Sequence, residues 1–193
     1  MPYPPSLLTI AGRLIPKCIY VYSGLGASER CLKQLINCLE TFTDRKVVEL
    51  SADDLLHSNW QNNADLICFS GGYDKGFLSA LGMRGCNLVR EFVIGGGRYL
   101  GICAGAYFAS HICEFDKGGE NEVIGERQIV LFNGTARGPV YPGFEYKSER
   151  GSHAAFLITD DAPCQFPRLV STYFNGGPAF FSDNWNKTTV LYK

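Results

Sequence analysis

From Lys17 to about residue 115, short apolar runs alternate with stretches of helical period. Lys17–Ser23 is apolar and β-branched and ends in Gly24-Leu25-Gly26, which predicts a buried strand and a turn. Ser28 then stands as a helix N-cap, with Leu32, Leu35, Ile36, Leu39 and Phe42 at helical spacing. Lys46–Leu50 predicts a second strand, and Ala52–Trp60 a helix capped by Ser51. Ala64–Ser70 predicts a third strand, stopped by Gly71-Gly72. Leu88–Ile94 reads as a helix ended by Gly95-Gly96-Gly97. Arg98–Ile102 is the fourth apolar run, and Ala104–Cys113 a compact helix rich in alanine and aromatic residues.

Such alternation specifies a mostly parallel sheet with helices on both faces, a three-layer α/β sandwich of flavodoxin-like type. Beyond it the pattern changes. Gln128–Phe132, Ala155–Ile158 and Leu169–Phe174 predict strands, and Gly138–Gly143 a rigid loop. This half is expected to form an antiparallel extension. No internal repeat, low-complexity segment or interdomain linker interrupts the chain, and its 193 residues suit a single domain over 1–193.

Composition narrows the function classes. With 46% hydrophobic and 19% charged residues the chain can build a core, and disorder is excluded. A net charge of -1 gives no footprint for nucleic acid or an anionic membrane. No apolar run approaches the ~20 residues that span a bilayer, and Met1–Ile15 lacks the basic-then-apolar order of a signal peptide. A cytoplasmic protein is the expectation. The eight cysteines, at 18, 31, 38, 68, 86, 103, 113 and 164, include no C-x-x-C pair. Zinc-ribbon and thioredoxin chemistry are excluded, and seven of the eight read as small buried hydrophobes. No metal and no cofactor is implied.

The remaining cysteine lies in Gly101-Ile102-Cys103-Ala104-Gly105. A strand-to-helix turn of this kind, a nucleophile elbow, places its central residue at the tip, where flanking glycines let the backbone pass closely. Two such glycines surround a cysteine by chance in roughly one chain in ten of this composition, so the apolar run before and the helical stretch after must decide. A structural tight turn is the competing reading. As a nucleophile, Cys103 at a helix start is expected to have a pKa below the ~8.5 of a free thiol and to be the most alkylation-prone cysteine. Gly71-Gly72 follows the third strand at the same sheet edge, so the N–H of Gly72 and that of Ala104 are candidate oxyanion donors. Gly24-Leu25-Gly26 begins like a dinucleotide fingerprint, but Glu29 stands where the third glycine belongs.

A thiol hydrolase needs a base, and the chain has three histidines. On a continuous helix His111 would lie roughly 12 Å from Cys103 along the axis, too far to bond. His57 reads as a solvated surface residue, and His153 as a loop residue that could fold back toward the site.

Together these stretches resemble the N-terminal domain of eukaryotic-type biotin-protein ligases, a class I glutamine-amidotransferase-like module. The resemblance runs from about Ile19 to Lys193 and rests on five stretches, Val21–Gly24, Phe69–Gly72, Tyr99–Tyr107, Gly138–Phe144 and Tyr173–Pro178. It implies the cysteine elbow, the oxyanion donors Gly72 and Ala104, and a Cys-His-Glu triad completed by a His-Pro-Glu stretch beyond Asn175-Gly176-Gly177. This sequence ends at Lys193 without that stretch, so the domain is expected to lack its C-terminal end. The resemblance also implies ligand contacts from Gly71, Tyr73, Tyr107, Tyr141, Asn175 and Gly176. The stretches that grip biotinyl-adenylate in the ligases, Gly-Arg-Gly-Arg and Lys-Trp-Pro-Asn, are absent. The chain is therefore expected not to biotinylate by itself.

Two functions follow as expectations. One is an accessory ligand-binding or regulatory module, taking a glutamine-like or biotin-like small molecule and partnering a biotin ligase catalytic domain. The other is a cysteine amidotransferase or hydrolase whose histidine and glutamate lie beyond residue 193. A third, minor alternative uses His153 as the base.

Overall fold

The structure is a computed structural model that describes residues 7–10, 13–159, 167–186 and 188–193. Cys164 lies outside the described residues. Where the sequence predicts one domain, the chain groups into two compact units. One is Met1–Ala109 with Arg127–Leu131, the other Ser110–Glu126 with Phe132–Lys193.

In the first unit, Leu7–Ile10 (β1) and Arg13–Pro16 (β2) pair antiparallel. The predicted apolar runs then become Cys18–Tyr22 (β3), Val47–Leu50 (β4), Ala64–Phe69 (β5) and Arg98–Gly101 (β6), a parallel sheet of order β4-β3-β5-β6. Residue alternation sends the two faces of each strand to different helices. Ile19, Val21 and Cys68 pack under Glu29–Phe42 (α1), against its Leu32, Leu35, Ile36 and Leu39. Tyr22, Ile67 and Phe69 face the other way, among Leu55 of Ala52–His57 (α2), Phe77, Leu81 and Val89 of Asp74–Ile94 (α3), and Phe108 of Ala104–Ala109 (α4). Phe69 is central to this second face, with ring centroids of Tyr22, Phe77, Phe108 and Tyr99 at 4.9, 5.2, 5.1 and 5.6 Å. Burying such side chains contributes about 1.5–3 kcal/mol each. At the start of β5, the carboxylate of Asp65 is held by Arg45 at 3.1 Å and Arg98 at 2.9 Å.

Three predicted elements differ from those observed. The helix expected over Leu88–Ile94 begins at Asp74, and it is kinked at Gly82 (φ 54, ψ -166). Gly76, Gly82 and Gly85 dilute its apolar period, which hid its first half. The helix expected over Ala104–Cys113 stops at Ala109, because Ser110–Phe115 (β7) leaves to pair with strands of the second unit. Of the strand expected over Gln128–Phe132, only Phe132 is in a strand. Arg127–Leu131 returns to the first unit as an irregular strap, with Ile129 wholly buried in its core and Leu131 N–H donating to Ala109 O at 2.9 Å.

The second unit contains β7, Val123–Glu126 (β8), Phe132–Gly138 (β9) and Ala179–Phe181 (β12), a sheet of order β12-β9-β7-β8. The expected antiparallel extension is in fact mixed, since β7 and β9 run parallel. His153–Ile158 (β10) and Leu169–Phe174 (β11) form a separate antiparallel ribbon, and Ile158 also exchanges both backbone hydrogen bonds with Lys193. The predicted Gly138–Gly143 loop opens on a cis Gly138-Pro139 bond.

Candidate functional site

Cys103 sits between β6 and α4 with φ 52, a left-handed conformation that few residues with a side chain adopt. The turn is closed by Ile102 N–H donating to Phe69 O at 3.0 Å, and by Ala106 and Tyr107 N–H donating to Cys103 O at 3.0 and 3.1 Å. The flanking glycines serve close packing. A side chain on Gly101 would meet Gly105 O at 2.5 Å, and one on Gly105 would collide with Phe69 O. Tyr99 Oη donates to the same Gly105 carbonyl at 2.7 Å.

Above this turn lie Gly71 and Gly72. Gly72 has φ +150, and a Cβ there would overlap Gly26 O and approach Ser28 N at 2.8 Å. The reason is a small bridge between two loops. Tyr73 N–H donates to Gly26 O at 2.8 Å, and Ser28 N–H to Gly71 O at 2.9 Å. The Gly24-Leu25-Gly26 turn thus has a packing role beneath the Gly71-Gly72 loop. That arrangement delivers the N–H of Gly72, along with the N–H of Ala104, to the Cys103 sulfur.

Burial nevertheless dominates the thiol. Desolvation first, then the neighbouring Cys31, push Cys103 up to about 11, against the lowering effect of the Ala104 and Gly72 N–H groups; Asp74 adds a smaller upward push. The expected depression of this pKa is therefore overturned. Its proposed source was the helix start, and α4 has only six residues.

The histidines have their own contacts. His57 Nδ1 lies 3.0 Å from Asp53 Oδ1 on the surface of α2. His111 is on β7 and not on a helix with Cys103. His153 Nδ1 lies 2.8 Å from Gly151 O, and its ring stacks on Tyr141 at 4.3 Å. Of the other predicted contacts, Tyr73 precedes α3 and is exposed, whereas Tyr107 is buried in α4. Asn175 Nδ2 donates to Ser148 O at 3.3 Å, and Gly176, at φ 74, leaves room for the Phe144 ring. Tyr141, Asn175 and Gly176 thus belong to the second unit. The loop Gly138–Phe144 lines a cavity of about 640 Å³ there through Gly138–Val140 and Pro142–Phe144, together with Lys117, Arg137 and Phe181, and Tyr141 is not part of that lining. Arg137 Nε donates to Glu114 at 2.6 Å, and its guanidinium lies 4.7 Å over the Phe181 ring.

The biotin-protein ligase N-terminal family model matches residues 17–193. The chain belongs to that family. It is 34% identical over 181 residues to a biotin-protein ligase of Schizosaccharomyces pombe, covering 90% of this chain and 28% of the ligase. It is 32% identical over 167 residues to an uncharacterised protein of Chlamydia muridarum, covering 84% of this chain and 63% of that protein. The chain thus spans less than two thirds of either relative. Among solved structures, a glutamine amidotransferase matches with a TM-score of 0.50 and 16% identity over 82% of this chain and 72% of that one. This likeness establishes the glutamine-amidotransferase-like α/β fold of the family member. No helix among the described residues is long and apolar enough to cross a membrane.

Two residues that act on Cys103, and a third bonded to one of them, carry no signal in the sequence. Cys31 is in the first turn of α1. Asp74 opens α3 and accepts a hydrogen bond from Arg127 Nε at 2.5 Å, both side chains being buried. Arg127 is far along the chain, and only the return of the strap brings it to Asp74.

Proposed function

We propose that this family member is an accessory ligand-binding module, in which the Cys103 turn holds a small carbonyl or carboxylate ligand without turning it over. The observation that carries this is the state of Cys103. A thiol pushed up to about 11 by burial is protonated at neutral pH and is a poor nucleophile in that state. The N–H groups of Gly72 and Ala104 still converge there, and such donors serve a carbonyl oxygen as well as an oxyanion. A glutamine-like or biotin-like molecule fits that chemistry, and a biotin ligase catalytic domain is the partner that the family suggests.

A thiol amidase completed by a histidine and a glutamate from a longer chain is the second reading. Its support is the left-handed Cys103, since strain at a side-chain-bearing residue is characteristic of functional turns. Ammonia release from glutamine separates the two. The accessory module predicts none above the level of Cys103→Ala, with Cys103→Ala retaining the fold and its affinity for glutamine or biotin by calorimetry. Ammonia production that disappears in Cys103→Ala would overturn the module and establish the amidase.

A further inference from the structure

Cys31 and Cys103 both lie against Gly71. A methyl group on Gly71 would sit 2.9 Å from Cys31 Sγ, 3.4 Å from Cys31 Cβ and 3.7 Å from Cys103 Cβ. Both therefore border a position that carries no side chain. Both are free thiols, and both are partly exposed. Their sulfurs are close enough for Cys31 to raise the Cys103 thiol, second only to burial. Cβ atoms in disulfides lie about 3.5–4.5 Å apart, and both Cβ atoms here lie within 3.7 Å of the space beside Gly71, so joining the sulfurs requires the first turn of α1 to close whatever separation exceeds that range.

We propose that Cys31 and Cys103 are a modification site, a dithiol that a hydroperoxide closes into a reversible disulfide across Gly71. The sulfur that ionises first attacks the peroxide. The O–O bond breaks, an alcohol or water leaves, and that sulfur carries S–OH. The second sulfur then attacks the first. The S–O bond breaks, the hydroxyl departs as water with the second thiol's proton, and the S–S bond forms. The peroxide takes up the two electrons that the thiols lose. This site depends only on the proximity of the two cysteines and not on the proposed ligand-binding role. Where that role also holds, the disulfide withdraws the Cys103 sulfur from the Gly72 and Ala104 N–H groups.

The test is peptide mapping by mass spectrometry after the full chain is exposed to hydrogen peroxide and quenched with iodoacetamide. The expected product is a peptide pair joining Cys31 to Cys103, with fragment ions that distinguish Cys103 from Cys113. Dithiothreitol should return both thiols. Cys31→Ser, on a partly exposed helix face, should retain the melting temperature, lose the linked pair and leave Cys103 reduced. Three results would each overturn the proposal. These are Cys31 joined to another cysteine, Cys103 oxidised while Cys31 alkylates normally, and both thiols alkylated as in untreated protein. None of these readouts involves glutamine or ammonia, so they stand apart from the test of the proposed function.

Discussion

At Cys103 two opposing effects act on one atom. Two backbone N–H groups favour the thiolate, while loss of water and the neighbouring Cys31 disfavour it, and the second pair wins. Reactivity should follow. In iodoacetamide pulse labelling at neutral pH, the exposed Cys38 should be modified first and Cys103 should lag. The Cys103 rate should then climb about tenfold per pH unit, as its thiolate fraction does, and level off only near pH 11. A plateau near pH 8 would mean that the sulfur is far better solvated than its surroundings indicate. The position of Cys103 was legible in the sequence because the glycines on both sides and the flanking periods are local. Its pKa was not. Gly72 could be placed there from its position after the third strand, but Cys31 and Asp74 reach it only through tertiary packing, and no spacing along the chain announces their proximity.

Elements divide the same way. β3, β4, β5, β6 and α1 each carry their own period, so the parallel sheet and its two helical faces could be read in advance. The end of α4 could not. Ala104–Cys113 has helical composition throughout, and its second part is drawn into a strand by pairing with β8 and β9, partners that lie outside the segment. The Gly71-Gly72 loop shows how strongly tertiary contact constrains a local motif. Gly72→Ala places a Cβ on Gly26 O at a backbone conformation that disfavours side chains, so the two loops must separate. A loss of about 3 kcal/mol or more is expected in urea unfolding, combining overpacking with backbone strain. A loss under about 0.5 kcal/mol, the range of an ordinary surface change, would show that the loops part freely.

For the whole molecule, buried protons link the first unit's core to pH. Burial pushes Cys68 and Tyr22 up to about 12 and Cys86 up to about 11, alongside Cys103 at about 11. In the unfolded chain these thiols titrate near ~8.5 and the phenol near ~10. Between those values and the native ones, the native state binds protons that the unfolded state has released. Stability from this source is therefore complete below about pH 8.5 and declines as pH rises toward 11–12. The urea midpoint should fall steadily above pH 9, with little change in slope at the transition. Cys68→Ala should be less stable at neutral pH by about 1 kcal/mol for the vacated sulfur volume, yet decline less steeply with alkali, having one fewer proton to lose. Parallel declines in the two proteins would show that Cys68 is not a linked group. A flat profile in both would mean that water reaches these sulfurs in the native state. Either result would bear on Cys103 as well, because Cys68 lies on β5, the strand between β3 and β6, and β6 leads directly into the Cys103 turn.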